Sequence, residues 1–318
     1  MTDNLSRPPR LPGGNSFEDI RIDIAEAHRM VDALPRETRC CSLPAWRGKL
    51  RHLTYRFLRK MGLYEPLVTN GFISGWLADF RSYWTEVLGG RPIWKTLDFF
   101  LLAHDYRRSQ QRAERLEWAD AARHLENWQQ PGQVYQVFQQ VERFALTPYE
   151  HPPIWRFLGP KMRVLEYGCS AAPYYHSYRK FYSHWQQSWV LADIPNFPFH
   201  YAKYLYRNDK GVSFATIEME NYEDPLQSDE KFDAIILTTV LEHLESPREV
   251  VSYLLERLRS GGVLLFDYIL SEGTGLDHPG SLVQREECLR LIREKTIVQN
   301  GTLGEDSETV DLCVVRKK

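Results

Sequence analysis

Two textures divide the chain. From about residue 17 to about 150, apolar positions recur at helical spacing, in segments near 17–34, 46–61, 69–88, 93–110, 114–127 and 132–146 separated by Pro, Gly or Asn. After residue 160, short apolar runs alternate with helical stretches, the pattern of βαβ units and a parallel sheet. Strands are expected at Arg163–Tyr167, Trp189–Asp193, Ser213–Ile217, Phe232–Thr238 and Val263–Ile269. Two more, near Lys295–Gln299 and Thr309–Val315, close the chain as an antiparallel pair around Asn300-Gly301. The change of texture places a domain boundary near Pro152 and Pro153, between a helical domain over 17–150 and an α/β domain over 151–318. Residues 1–16, with Pro8, Pro9, Pro12, Gly13 and Gly14, bury too little to order and read as a disordered arm.

One helix is specified in detail. Ser246 suits the N-cap, Pro247 the first helical position and Glu249 a capping box, while Val250, Val251, Leu254, Leu255 and Leu258 form its buried stripe. Gly261-Gly262 is expected to end it and turn the chain into the following strand. Trp76, Trp84, Trp94 and Trp118, at helical spacings, read as core anchors. In KLRHLTYRFLRK, Lys49 to Lys60, basic and apolar side chains interleave. Such a helix is the solvated face of a core helix or a peripheral contact for phosphates or an anionic membrane surface.

Composition narrows the class. At 318 residues and 43% hydrophobic content a sizeable core is available, and a net charge of −2 with 26% charged residues gives no general affinity for nucleic acid. Cys40, Cys41, Cys169, Cys288 and Cys313 form no CxxC pair and no disulfide framework, which fits a reducing, cytoplasmic setting. The N-terminus lacks the apolar core of a signal peptide, and the run Leu97–Ala103, interrupted by Asp98, is too short to span a bilayer.

Candidate chemistry concentrates in MRVLEYGCSAAP, Met162 to Pro173. An apolar strand runs into a tight turn, with Glu166 near its exit and Gly168, Ser170, Ala171 and Ala172 small enough for close backbone approach. In a doubly wound sheet the ligand crevice lies outside the carboxyl ends of the strands, so a nucleotide-like cofactor belongs here.

Taken in order, VLEYGCSAAP, VLADIP, FDAIILTTVLEHL and LRSGGVLLFDYI resemble the class I S-adenosylmethionine-dependent methyltransferases over roughly residues 155–318. The resemblance implies a Rossmann-like α/β fold: a seven-stranded, mostly parallel sheet with flanking helices, here preceded by an all-helical domain. It also implies S-adenosyl-L-methionine as cofactor. The turn Gly168, Cys169, Ser170 would run beside the methionine portion, with Glu166 near its amino group. Asp193, followed by Ile194, would accept the ribose hydroxyls. Met219 and Glu220 would face the adenine, and Leu237 and Thr238 would complete the wall.

Two departures stand out. The family's GxGxG has become Gly168-Cys169-Ser170-Ala171-Ala172, so the turn is expected to use ordinary backbone angles or to be reshaped. Asp193 also lies further on than the roughly 20 residues of the generic fingerprint, which a long Tyr-rich first helix accounts for. On the residues alone, Glu166 also reads as a helix-capping carboxylate, Asp193 as a turn residue before Pro195 and Cys169 as a small buried filler.

Methyl transfer to a hydroxyl needs a base near the carboxyl ends of the fourth and fifth strands. His278, on a Gly-rich loop, is the preferred candidate, with His243 and Asp277 beside it and Asp267 and Tyr268 near. A looser similarity to bacterial glycan and lipopolysaccharide methyltransferases, with the abundance of aromatic residues, points to O-methylation of a small or glycan-like acceptor. The alternatives are N- or C-methylation of a small metabolite or quinone-like ring, and a methyltransferase fold kept as a non-catalytic binding module. No metal site is expected, and oligomeric state is not specified.

Overall fold

A computed structural model of the chain describes residues 24–34, 53–54, 57–58, 60–63, 76–94, 96–111, 116–146, 154–221, 223–271, 276–304 and 309–318. The expected arm over 1–16, Cys40, Cys41, Pro152, Pro153 and much of Lys49–Lys60 lie outside them. Of that basic stretch, Leu53, Thr54, Phe57, Leu58 and Lys60 are helical. No helix among the described residues is long and apolar enough to cross a membrane. Chain packing defines two compact units. Met1–Glu114, Trp128–Tyr149 and Asn196–Leu205 form one; Arg115–Asn127, Glu150–Pro195 and Tyr206–Lys318 form the other.

The first unit is helical. Its elements are α1 (Ile24–Asp32), α2 (Trp76–Ser82, continued by a wider turn over Tyr83–Val87), α3 (Thr96–Gln110) and α5 (Tyr135–Leu146); α4 (Ala121–Gln129) begins in the second unit. Helix α3 buries Thr96, Phe99, Ala103 and Tyr106, and the face of α5 carries Val137, Phe138 and Val141, each set at the three-or-four spacing that makes one stripe. Phe80 is the hub. Its ring meets Phe99 at 5.1 Å, Phe138 at 5.0 Å, Trp84 at 5.9 Å and Tyr201 at 5.9 Å. Trp76 and Trp84 are core anchors, but Trp94 is not: it is 72% exposed. It precedes α3 in irregular chain, where its backbone N–H donates to the Asp98 carboxylate, so helical periodicity does not govern it.

The second unit is built on strands β1 (Arg163–Tyr167), β2 (Ser188–Asp193), β3 (Val212–Thr216), β4 (Phe232–Leu237), β5 (Leu258–Tyr268), β6 (Thr296–Asn300) and β7 (Val310–Lys317). They form a seven-stranded sheet in the order β3-β2-β1-β4-β5-β7-β6. Only β7 runs antiparallel to its neighbours. Helices α6 (Pro173–Ser177), α8 (Pro247–Arg257) and α9 (Pro279–Lys295) belong to this unit, and α7 (Phe197–Tyr206), which follows β2 in the chain, belongs to the first unit up to Leu205. The central strands are near-continuous apolar runs such as Ala234, Ile235, Ile236 and Leu237, as strands covered on both faces require.

Two details of α8 differ from expectation. Ser246 is its N-cap, yet its hydroxyl caps no amide, and Glu249 pairs with Arg248 at 3.1 Å instead of completing a capping box. The helix ends at Arg257, and Gly261-Gly262 lies inside β5, at a bulge where Phe232 pairs with Leu258 and Ala234 with Val263. Glycine is favoured at 261 by a φ of 74° and required at 262, where a Cβ would press on the carbonyl oxygens of Asp233 and Arg259 at 2.9 Å.

Candidate functional site

The strand order reverses between β1 and β4, and the loops leaving their carboxyl ends flank the crevice in which doubly wound sheets bind ligands. The turn after β1 is held by backbone and by one carboxylate. Cys169 N–H donates to Ala192 O at 3.0 Å and Ala172 N–H to Cys169 O at 2.7 Å. Asp193, at the end of β2, accepts from Ser170 N–H at 2.6 Å and from Ile194 N–H at 2.8 Å.

The turn is not relaxed. Gly168, Ser170 and Ala172 have φ of 65°, 52° and 55°, so the eroded glycine motif keeps the left-handed angles rather than the ordinary ones expected of Ser and Ala. Each non-glycine residue there costs about 1–2 kcal/mol, and such strain persists where surrounding bonds over-determine the backbone. The Asp193 carboxylate is such a bond. Gly168 is required twice over, since a Cβ would also run into Val240 Cγ2.

Glu166 is buried, and both its oxygens accept from the N-terminus of α6, Tyr174 N–H at 3.2 Å and Tyr175 N–H at 3.0 Å. Burial pushes its carboxyl up to about 8, against the pull of those two amides. This is the helix-capping arrangement. Cys169 is buried, and its Sγ–H donates to Ser170 O at 3.7 Å. Met219 and Glu220 lie on the turn after β3, Met219 partly covered and Glu220 exposed. Leu237 is buried at the end of β4, Thr238 is partly exposed, and Thr239 follows with φ 56°. A β-branched residue with positive φ is an outlier. Thr239 N–H is held at 2.6 Å by the carboxylate of Asp267 on β5, which burial pushes up to about 6.

Beyond Thr239, a short turn over Leu241–His243 and the loop before α9 bring the base candidates together. His243 Nδ1 lies 2.9 Å from Leu276 O, so that nitrogen carries the hydrogen and donates it, and Nε2 carries the lone pair. His278 is the opposite case. Its Nδ1 accepts from Gly280 N–H at 3.0 Å as the N-cap of α9, so in the neutral ring Nε2 carries the hydrogen. Burial holds both imidazoles below the usual histidine range. Asp277 clasps its loop, both oxygens facing Ser271 N–H at 3.2 and 2.9 Å. His278 N–H and Ser281 Oγ–H both donate to Glu242 O, which locks the loop onto the β4 exit.

Sequence reasoning missed three contributors. Trp118 and His124 precede the sheet by many residues yet pack on His278, with ring centroids 5.1 and 5.7 Å from it. Burial drops His124 to about 3. Glu242, 2% exposed, was legible only as a carboxylate embedded in the apolar run TTVLEHL. Among the described residues no group of three or more His, Cys, Asp or Glu could hold a metal ion.

A methyltransferase-domain family matches residues 133–299, more than half of the chain, and the chain belongs to the class I S-adenosylmethionine-dependent methyltransferases. S-adenosylmethionine is its methyl donor. Among solved structures, the chain is similar to the N-methyltransferase NodS of Bradyrhizobium japonicum WM9, at 18% identity over 50% of this chain and 87% of that one, TM-score 0.37. The same protein in complex with S-adenosyl-L-homocysteine gives 16% identity over 67% and 98%, TM-score 0.36. TehB of Haemophilus influenzae gives 14% over 54% and 64%, TM-score 0.39. No curated protein matches the chain in sequence. The residues present fit the donor: Asp193, at the end of β2, carries an acceptor-only carboxylate suited to hydroxyl donors, and the turn after β1 presents small side chains only.

Proposed function

We propose that the protein transfers the methyl group of S-adenosylmethionine to a hydroxyl of a small or glycan-like acceptor, with His243 as general base. The donor supplies an electrophilic methyl group on a sulfonium. The turn Gly168–Ala172 would run along its methionine portion, Asp193 would hold the ribose hydroxyls, Met219 and Glu220 would border the adenine, and Leu237 and Thr238 would line the wall beyond.

The observation that carries the assignment is the tautomer of His243. Its Nδ1–H is committed to Leu276 O, so a lone pair on Nε2 is fixed at the exit of β4, where a hydroxyl proton must leave. His278, preferred from the sequence, has its lone pair spent on Gly280 N–H, and both oxygens of Asp277 face Ser271 N–H. Support for a sugar-like acceptor comes from Trp118, partly exposed above two imidazoles that burial keeps neutral, since aromatic faces meet the apolar side of sugars and ring N–H groups meet their hydroxyls.

The test is formation of S-adenosylhomocysteine from S-adenosylmethionine with a panel of methyl hexosides and hexosamines. Product with a hydroxyl acceptor, reduced 10²- to 10⁴-fold in His243→Ala and unchanged in donor binding, supports the reading. Transfer that goes to amines alone, indifferent to His243, supports N-methylation, because an amine enters neutral and needs little base. Tight donor binding without transfer to any acceptor supports a binding module.

A further inference from the structure

Glu242 is a buried carboxyl that the chemistry above leaves unused. It is 2% exposed, and its Oε2 has no hydrogen-bond partner among the described residues. Nature rarely leaves a buried carboxylate oxygen orphaned without a functional reason. Its Oε1 lies 3.9 Å from His243 Nε2. That is too long for a direct hydrogen bond. It suits an imidazole that turns slightly once Nε2 acquires a hydrogen, or one oxygen bonded to both groups, since two bonds of about 2.8 Å spanning that gap meet at about 90°.

Resting on the reading of His243 as base, we infer that Glu242 is its positioning partner, holding the Nε2 face of the ring toward the acceptor and drawing the proton that Nε2 receives. As the acceptor's C–O bond forms and the S–C bond breaks, the hydroxyl proton passes to Nε2. The new N–H then points at the Glu242 carboxylate, so the positive charge released from sulfur is balanced within the pair. The groups facing the pair are Asp267 and Asp277, which favour the protonated carboxyl, and Arg285, which favours the anion, with Tyr268 and His124 also within electrostatic reach. Burial is the largest influence and pushes the Glu242 carboxyl up to about 8. The anion that draws the proton therefore forms on the alkaline side of neutrality.

The pairing can be read without an acceptor, by nitrogen NMR of protein labelled at histidine and saturated with S-adenosylhomocysteine. The His243 signals are identified by their loss in His243→Gln. Nδ1 should carry the hydrogen at pH 7, and the Nε2 shift should show a second step near pH 8 that vanishes in Glu242→Gln and moves in Glu242→Asp. A wild-type Nε2 signal with no alkaline step, or a step that survives in Glu242→Gln, overturns the pairing. The wild-type and Asp spectra decide it even where the Gln variant does not fold. An intact step combined with unchanged methyl transfer in His243→Ala would instead mean that the base assignment is wrong and the pair is structural.

Discussion

Gly168→Ala is the sharpest perturbation of the turn after β1. Two costs arise, and the structure separates them. The first is backbone: at φ 65° an L-residue costs about 1–2 kcal/mol, offset by about 0.4–1 kcal/mol from the stiffer unfolded chain. The second is steric. The new Cβ runs into Val240 Cγ2, and overpacking of a buried contact costs about 1–3 kcal/mol. The sum is a loss of about 1–4.6 kcal/mol. Gly261 provides the control, because it has φ 74° but nothing within 4 Å of a built Cβ. Gly261→Ala should therefore cost only the backbone difference, between about 0 and 1.6 kcal/mol. Urea unfolding of both variants gives the comparison, and Val240→Ala combined with Gly168→Ala should recover part of the excess through a coupling above about 0.5 kcal/mol. Equal losses at the two glycines, or no coupling to Val240, would refute the account of this turn.

Ser170→Gly should raise stability, by up to about 1.6 kcal/mol, because glycine relieves the left-handed angle at a partly exposed position; a fall in the urea midpoint would contradict the strain assigned there. Stability should decline from pH 6.5 to pH 8. Glu166 and Glu242, with native values raised to about 8, stay protonated in the fold while the unfolded chain has already ionised, so their contribution is lost as pH rises through that window. His124, His176 and His200, lowered to about 3, 4 and 3, act in the opposite sense but only below pH 6.5, where the unfolded chain binds protons that the fold rejects. A urea midpoint that is flat or rising from pH 6.5 to 8 would show that the two carboxyls are ionised in the fold. His278→Ala should lower the urea midpoint through loss of the α9 cap, by about 0.5–2 kcal/mol, and lower methyl transfer less than His243→Ala does.

Much of the fold was legible because its signals are local. The strand sequences are apolar runs bounded by turn residues, and β1 through β7 fall within a few residues of their expected positions, apart from the early start of β5. That start was hidden because a glycine pair reads alike as a helix stop and as a strand bulge, and only the pairing with β4 decides between them. Trp94 shows a similar limit: helical spacing is informative only inside a helix. At the site, the residue types were visible and their commitments were not. Whether Glu166 meets a ligand or two amides, and whether His278 spends its lone pair on Gly280, depends on atoms a few ångströms away that periodicity does not order. Trp118 and His124 join His278 through tertiary packing alone.

The central claim is that the β1 turn and Asp193 together form the donor site, and calorimetric titration with S-adenosylhomocysteine tests it most directly. Saturable binding at one site per chain is expected, weakened at least tenfold in Asp193→Ala and little changed in His243→Ala. A folded wild-type protein that binds no S-adenosylhomocysteine at millimolar concentration, or an Asp193→Ala variant that binds it as well as wild type, would contradict it.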